Sequence, residues 1–170
     1  MREIKVKVYK FSELSAKAKE KAMDDHNNSD YTWSMVFMEE EMKDKLADLI
    51  EENGMMCENA KLYYSLSYCQ GDGCMFEGDV SWKQWNIKIT HHSSHYHHHL
   101  TAGFMAEDDD GNEWDVNDEK EFMDIYGKMM GELEQFGYDR MREEESEEAI
   151  ADCFEVNEYE FYEDGECYGR

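Results

Sequence analysis

Apolar residues in this chain change their period twice, from helical to alternating and back. The first helical stretch, about Ala16 to His26, has Ser15 as its N-cap and the Asn27–Asp30 cluster as its stop. From about Ser34 to Asn53, Met35, Met38, Met42, Leu46, Leu49 and Ile50 recur at three- and four-residue steps, which predicts a helix buried along one side and ended by Gly54. The period then drops to two. Leu62, Tyr64, Leu66 and Tyr68 alternate with Tyr63, Ser65 and Ser67, and further strands are expected over Met75–Trp82, Trp85–His91 and His95–Met105. Helical spacing returns from about Asn117, the expected cap, through Phe122, Ile125, Tyr126, Met129, Met130, Leu133 and Phe136. Gly137 is expected to break this helix, with a second segment from Tyr138 to Cys153. Short alternating stretches at Ile4–Val8 and Phe154–Phe161 complete the pattern as a first and a last strand. Helices clustered around a run of hairpin-linked strands predict an α+β fold, a mostly antiparallel sheet of about 5–6 strands with helices on one face. A single domain over 1–170 is expected, with a strongly acidic C-terminal portion, 104–170.

Composition supports a packed core, since 41% of residues are apolar and 14% aromatic. The absence of proline suits unbroken elements and argues against a proline-rich linker. No apolar run approaches the roughly 20 residues that cross a bilayer, and the N-terminus reads as a strand, so a cytoplasmic location in a bacterial host is expected. Five cysteines (Cys57, Cys69, Cys74, Cys153 and Cys167) form no C-x-x-C pair and are expected as free thiols.

Charge sets the function class. Forty-two acids face 17 bases, a net −25, and residues 104–170 hold 25 of the acids with only five bases. Such a field repels nucleic acid and anionic membrane and attracts basic proteins. The densest segment holds Glu143, Glu144, Glu145, Glu147 and Glu148 within six residues, flanked by Glu132, Glu134 and Asp139 before it and Asp152 and Glu155 after it. A helix rising about 1.5 Å per residue would display these carboxylates at a density within a factor of about two of duplex phosphates. Together with Asp108, Asp109 and Asp110 they are the candidate partner-binding residues. Trp114, Tyr138, Tyr159 and Tyr162 are candidate aromatic anchors.

Other motifs carry less chemistry. On a strand, His95, His97 and His99 of the histidine tract would share one face, making them weak candidates for a metal, although no His-Glu-x-x-His pattern completes a site. Gln70-Gly71-Asp72-Gly73-Cys74 lacks both the dinucleotide and P-loop spacings and reads as a hairpin turn. Asp108–Glu113 fails as a calcium loop, because setting Gly111 at position six puts Ala106 where a carboxylate is needed. No catalytic residue and no cofactor is assigned.

The stretches Tyr9-Lys10-Phe11-Ser12-Glu13-Leu14-Ser15-Ala16-Lys17-Ala18-Lys19-Glu20-Lys21-Ala22 and Tyr63-Tyr64-Ser65-Leu66-Ser67-Tyr68-Cys69-Gln70-Gly71-Asp72-Gly73-Cys74-Met75-Phe76 resemble segments of small antitoxin-like proteins of phages and mobile elements. With its size and charge, the chain looks most like an anti-defence protein, a type II anti-CRISPR that inhibits Cas9. The resemblance implies a non-enzymatic, DNA-mimicking inhibitor whose partner is a basic nuclease that holds nucleic acid in a positive channel. An antitoxin neutralising a basic toxin or restriction subunit is the alternative, and a metal enzyme built on the histidine strip is the third reading.

Overall fold

The computed structural model describes residues 5–28 and 32–169, with 32–37 described as backbone only. Ile4 of the expected first strand, Ser29 and Asp30 of the expected stop, and the Met35 side chain lie outside that range. Among the described residues, four helices, α1 (Ala16–Asn27), α2 (Thr32–Glu52), α3 (Val116–Glu144) and α4 (Glu147–Val156), accompany strands β1 (Met55–Cys57), β2 (Lys61–Ser65), β3 (Gly73–Trp82), β4 (Trp85–His91) and β5 (Ala102–Glu107). The fold is α+β with an antiparallel sheet. The chain divides into two compact units, a central one of residues 37–139 and a terminal one of residues 1–36 with 140–170.

In the central unit, the strand order is β1-β3-β4-β5, with β2 also paired to β3. Register explains its two faces. Val80, Ile87 and Ala106 align across β3, β4 and β5, and all three are buried. One residue along, Asp79, Lys88 and Met105 align on the opposite face and are exposed. The buried face meets α3, whose Phe122 and Tyr126 rings pack on Trp82, Phe76 and Phe104 at centroid distances of 5.1–5.6 Å. Met42, Leu46 and Leu49 of α2 are likewise buried.

Beyond its last paired residue with β4, Gly78, strand β3 leaves backbone groups facing the interior. There the Tyr126 hydroxyl accepts from the Phe76 N–H at 3.0 Å and donates to the Phe76 carbonyl at 2.9 Å. One phenol thus substitutes for a neighbouring strand at a site that water does not reach. Burial pushes the Tyr126 phenol well above its ordinary value, so it stays protonated and able to donate.

Helix α3 corrects the expectation at Gly137, which lies inside the helix and is buried. A Cβ there would stand 2.4 Å from the Leu66 side chain and 3.3 Å from the Met42 thioether, so glycine marks a close approach rather than a stop. The cap also differs, because Asp115 rather than Asn117 accepts from the N–H groups of Asn117 and Asp118, at 2.7 and 2.9 Å.

The terminal unit has its own core of Phe11, Leu14, Ala18, Ala22, Ile150, Phe154 and Phe161. Phe154 meets Phe11 at 5.1 Å and Phe161 at 4.9 Å. Ser15 caps α1 as expected, accepting from Ala18 N–H at 3.3 Å, and Ser146 caps α4, accepting from Ala149 N–H at 3.2 Å. Neither expected outer strand forms. Residues 5–8 carry no ladder, Phe154–Val156 finish α4, and isolated bridges at Phe161 remain, to Tyr9 with both bonds at 2.9 Å and to Cys167. Burying Phe154 beside Ile150, four residues earlier, satisfies a helical face, and that outweighs the alternation downstream.

Two substitutions test this account in urea melts. Tyr126→Phe leaves a buried N–H and a buried carbonyl without a partner and is expected to cost about 2–4 kcal/mol. Gly165→Ala places a methyl 2.1 Å from the Ala18 carbonyl at φ +91, and should destabilise the protein by about 2 kcal/mol or more.

Candidate protein-interaction faces

Each acid-bearing helix has a buried and a wet side, and the carboxylates fall on the wet one. On α4, Glu148, Asp152 and Glu155 recur at four- and three-residue steps opposite the buried Ile150 and Phe154, and all three are exposed. No ion pair engages them among the described residues. Glu145, in the α3–α4 link, is also exposed.

Charge in the same unit is partly offset by individual lysines of its N-terminal segment. Lys19 approaches Glu147 at 4.0 Å, and Lys21 pairs with Asp164 at 2.7 Å. Arg140 pairs with Glu143 one turn on. Glu144 is half-buried.

In the central unit, the candidate acids of α3 are the more neutralised ones. Glu132 pairs with Lys45 of α2 at 2.8 Å, and Asp139 accepts from Gln135 at 2.9 Å. Glu134 is half-buried. Lys83 holds both Asp118, at 3.0 Å, and Glu121, at 2.7 Å.

The turn acids have local work. Asp108 accepts from the N–H groups of Asp110 and Asn112 at 3.0 and 2.8 Å, and bonds from the Asn112 side chain hold its carboxyl below the usual range. Asp109 accepts from Asn86 at 3.2 Å, and Asp110 is exposed.

A second acidic stripe went unweighed at the level of sequence. Glu40, Asp44, Asp48 and Glu52 stand four residues apart on the exposed side of α2, opposite Met42, Leu46 and Leu49. Their spacing is about 6 Å along the axis. None is ion-paired among the described residues. Three successive like-charged pairs at i,i+4 each cost a few tenths of a kcal/mol, about 1 kcal/mol together, before the opposing attraction of Lys43 for Glu40 and of Lys45 for Asp48 and Glu52. The signal was readable in the four-residue repeat, but the denser C-terminal run masked it.

Among the expected aromatic anchors, Tyr138 is committed inward. Its ring stacks on Tyr68 at 4.8 Å, and its hydroxyl donates to Asp72. Trp114 packs on Phe122 at 5.6 Å, and Tyr159 is half-buried beside Phe154. Tyr162 is exposed.

Asp72 is the buried carboxylate among the described residues, 7% exposed. It organises the Gln70–Cys74 turn, accepting from the N–H groups of Ser67 and Cys69 at 2.7 and 3.0 Å, from the Ser65 hydroxyl at 3.3 Å, and from Tyr138. Burial opposes its ionisation, but the bonds from Tyr138, Cys69 and Ser67 outweigh burial and hold the carboxyl far below the usual range. Cys74 is buried, and its thiol is pushed up to about 12 by burial, then by Glu134 and Asp72, which keeps it protonated and poorly nucleophilic. None of the five cysteines is in a disulfide.

The histidines correct the strand expected over His95–Met105. Residues 92–98 form a loop, His99–Thr101 a 3₁₀ turn, and the strand begins only at Ala102. His95, His97 and His99 therefore share no strand face. Among the described residues, no group of three or more His, Cys, Asp or Glu side chains is arranged to hold a metal ion. No described helix is long and apolar enough to cross a membrane.

Because the Asp72 carboxyl is depressed in the fold, its stabilisation is present above 3.8, the ordinary aspartate value, and fades as pH falls below it. Asp72→Asn is expected to lower stability by about 2 kcal/mol at neutral pH. That gap should narrow in strongly acidic urea melts. No family model matches the chain, and neither the curated proteins nor the solved structures yield a match.

Proposed function

We propose that the chain is a non-catalytic interaction protein that binds a basic, nucleic-acid-handling protein and keeps nucleic acid off it. A Cas9-type nuclease is the partner that its sequence resemblance implies. The observation that carries the reading is the pair of outward acidic stripes, Glu40–Asp44–Asp48–Glu52 and Glu148–Asp152–Glu155, each opposite its own helix's buried side and each without an ion pair among the described residues. The α2 stripe repeats a charge about every 6 Å, and one DNA strand carries a phosphate about every 3.4 Å of axis. Lysines and arginines set out along a nucleic-acid channel can therefore meet successive carboxylates. Each stripe offers such a contact, and charge-driven binding of this kind is salt-sensitive. The net charge of −25 supports the same direction, since it disfavours direct contact with DNA or RNA.

Cleavage of a target duplex by several purified Cas9 enzymes tests the proposal at low and high salt. Wild-type protein is expected to inhibit at least one enzyme, more weakly as salt rises. Neutralising the stripes together, as E40Q/D44N/D48N/E52Q with E148Q/D152N/E155Q, should weaken inhibition at least about 100-fold while far-UV circular dichroism is unchanged. Undiminished inhibition by that variant would remove the stripes from the mechanism. Failure of the wild-type protein against every enzyme, with a small basic toxin recovered by pull-down instead, would replace the partner.

A further inference from the structure

Residues 92–101, joining β4 to β5, bring three imidazoles into two close pairs, one of them with His91 at the end of β4. The rings of His91 and His97 are 5.2 Å apart, and both lie against Tyr63 of β2, at 4.6 and 5.7 Å. The rings of His98 and His99 are 4.1 Å apart. The loop is pressed onto its neighbours. A Cβ at Gly73 would come within 2.8 Å of the His98 backbone, the Tyr96 ring lies 3.4 Å from the Cβ position of Gly71, and the His99 ring lies 3.6 Å from that of Gly127 on α3. Thr101 fastens it, donating its N–H to the His98 carbonyl at 2.8 Å and its hydroxyl to the same oxygen at 2.7 Å. The His92 N–H donates to the Thr101 carbonyl at 2.9 Å.

This closed arrangement suits neutral rings. His91 Nε2 lies 2.9 Å from the Tyr96 carbonyl, an acceptor that suits a ring with a proton on Nε2. His97 Nδ1 is buried and has no hydrogen-bond partner. A neutral ring can leave that nitrogen as a lone pair, whereas a protonated ring must bury an N–H with no acceptor.

The surrounding charges offer little relief. Glu77 of β3 accepts from the Tyr63 hydroxyl at 2.6 Å and already has Lys61 of β2 at 3.5 Å. The neighbour that His97 meets is instead the His91 imidazole at 5.2 Å. Within the loop, His92 is engaged with the Thr90 hydroxyl at 2.7 Å, and His95 adds a further titratable ring. On α3, helical spacing puts Asp124 on the same side as Gly127, with Lys128 next to it.

We propose that the 92–101 segment is an acid-released strap, closed over the β2–β3 surface while His97 and His99 are neutral and opened when they charge. The sign follows from the direction of the shifts. Burial first, and the neighbouring imidazole second, lower the proton affinity of both His97 and His99 below the ordinary 6.5. The closed form therefore binds fewer protons than the open form below 6.5, so closure is at full strength above that value and weakens as pH falls from it. What opens is a patch holding the Tyr63 ring and the approach to Met75, which the Thr101 hydroxyl reaches at 3.6 Å.

Amide hydrogen exchange on the untagged full-length protein, corrected for intrinsic rates, tests this. Protection at Thr101 and His92 is expected to drop at least about tenfold from neutral pH to about pH 5.5, while protection in β3 and β4 holds. In His97→Gln/His99→Gln, the pH dependence of that drop should vanish. Thr101 protection unchanged with pH in the wild type, or an undiminished drop in the variant, would overturn the strap. Should the variant not fold, nuclear magnetic resonance titration of the wild-type imidazoles decides: His97 titrating at or above the free histidine value overturns the proposal, and titration below it together with the Thr101 amide upholds it.

Discussion

The Tyr126 hydroxyl between the two backbone groups of Phe76 is the contact on which the central unit depends. A sheet face can be covered by any apolar helix, but a strand that outruns its neighbour leaves polar groups that apolar packing cannot satisfy. A single phenol supplies both a donor and an acceptor there, and its ring belongs to the same aromatic layer as Phe122 and Phe104. Hydrogen bonding and packing thereby fix one position of α3 along β3. Lys45–Glu132 and the Gly137–Leu66 approach then follow as consequences of that placement.

With the inner side of α3 fixed, its outer side is fixed too, and the same holds for α2 and α4 through their own buried residues. That coupling is what turns acid content into directed surfaces. Carboxylates on a helix with no buried side would point everywhere and their field would average out. Here Met42, Leu46 and Leu49 aim one stripe, and Ile150 and Phe154 aim the other. The cations are spent elsewhere: Lys83 on the start of α3, Lys45 on its middle, Lys19 and Lys21 within the terminal unit. A −25 chain is consequently uneven at short range, with some acids quenched and two rows left open.

How much of this was legible in residues alone depends on the range of the forces involved. The strand Trp85–His91 and the helix following Ser15 were readable because alternation, periodicity and a capping hydroxyl are local. Gly137 was misread because a glycine that permits contact with Leu66, 71 residues away, looks the same in sequence as one that stops a helix. The strand expected through the histidine tract failed for a related reason. Its alternation is real, but Thr101 turns the chain back onto His98, and Ala102 is the first residue in register with β4. The acids of α3 and α4 were found by density. The row on α2 was not, since its charges are diluted by apolar neighbours and emerge only when the helix is wound. The pairing of Glu132 with Lys45 could not be seen at all, because it joins residues 87 positions apart.

The terminal unit is assembled from the two ends of the chain, with every residue of the central unit threaded between them. Tyr9 and Phe161 can meet only after the whole intervening stretch has been synthesised, and their closure carries the entropy of that long loop. A ribosome-bound chain would complete its central unit first and hold its lysine-rich leading segment unsatisfied until the last helix emerges. The charges that quench one another within the terminal unit, Lys19 with Glu147 and Lys21 with Asp164, are thus the last to be brought together.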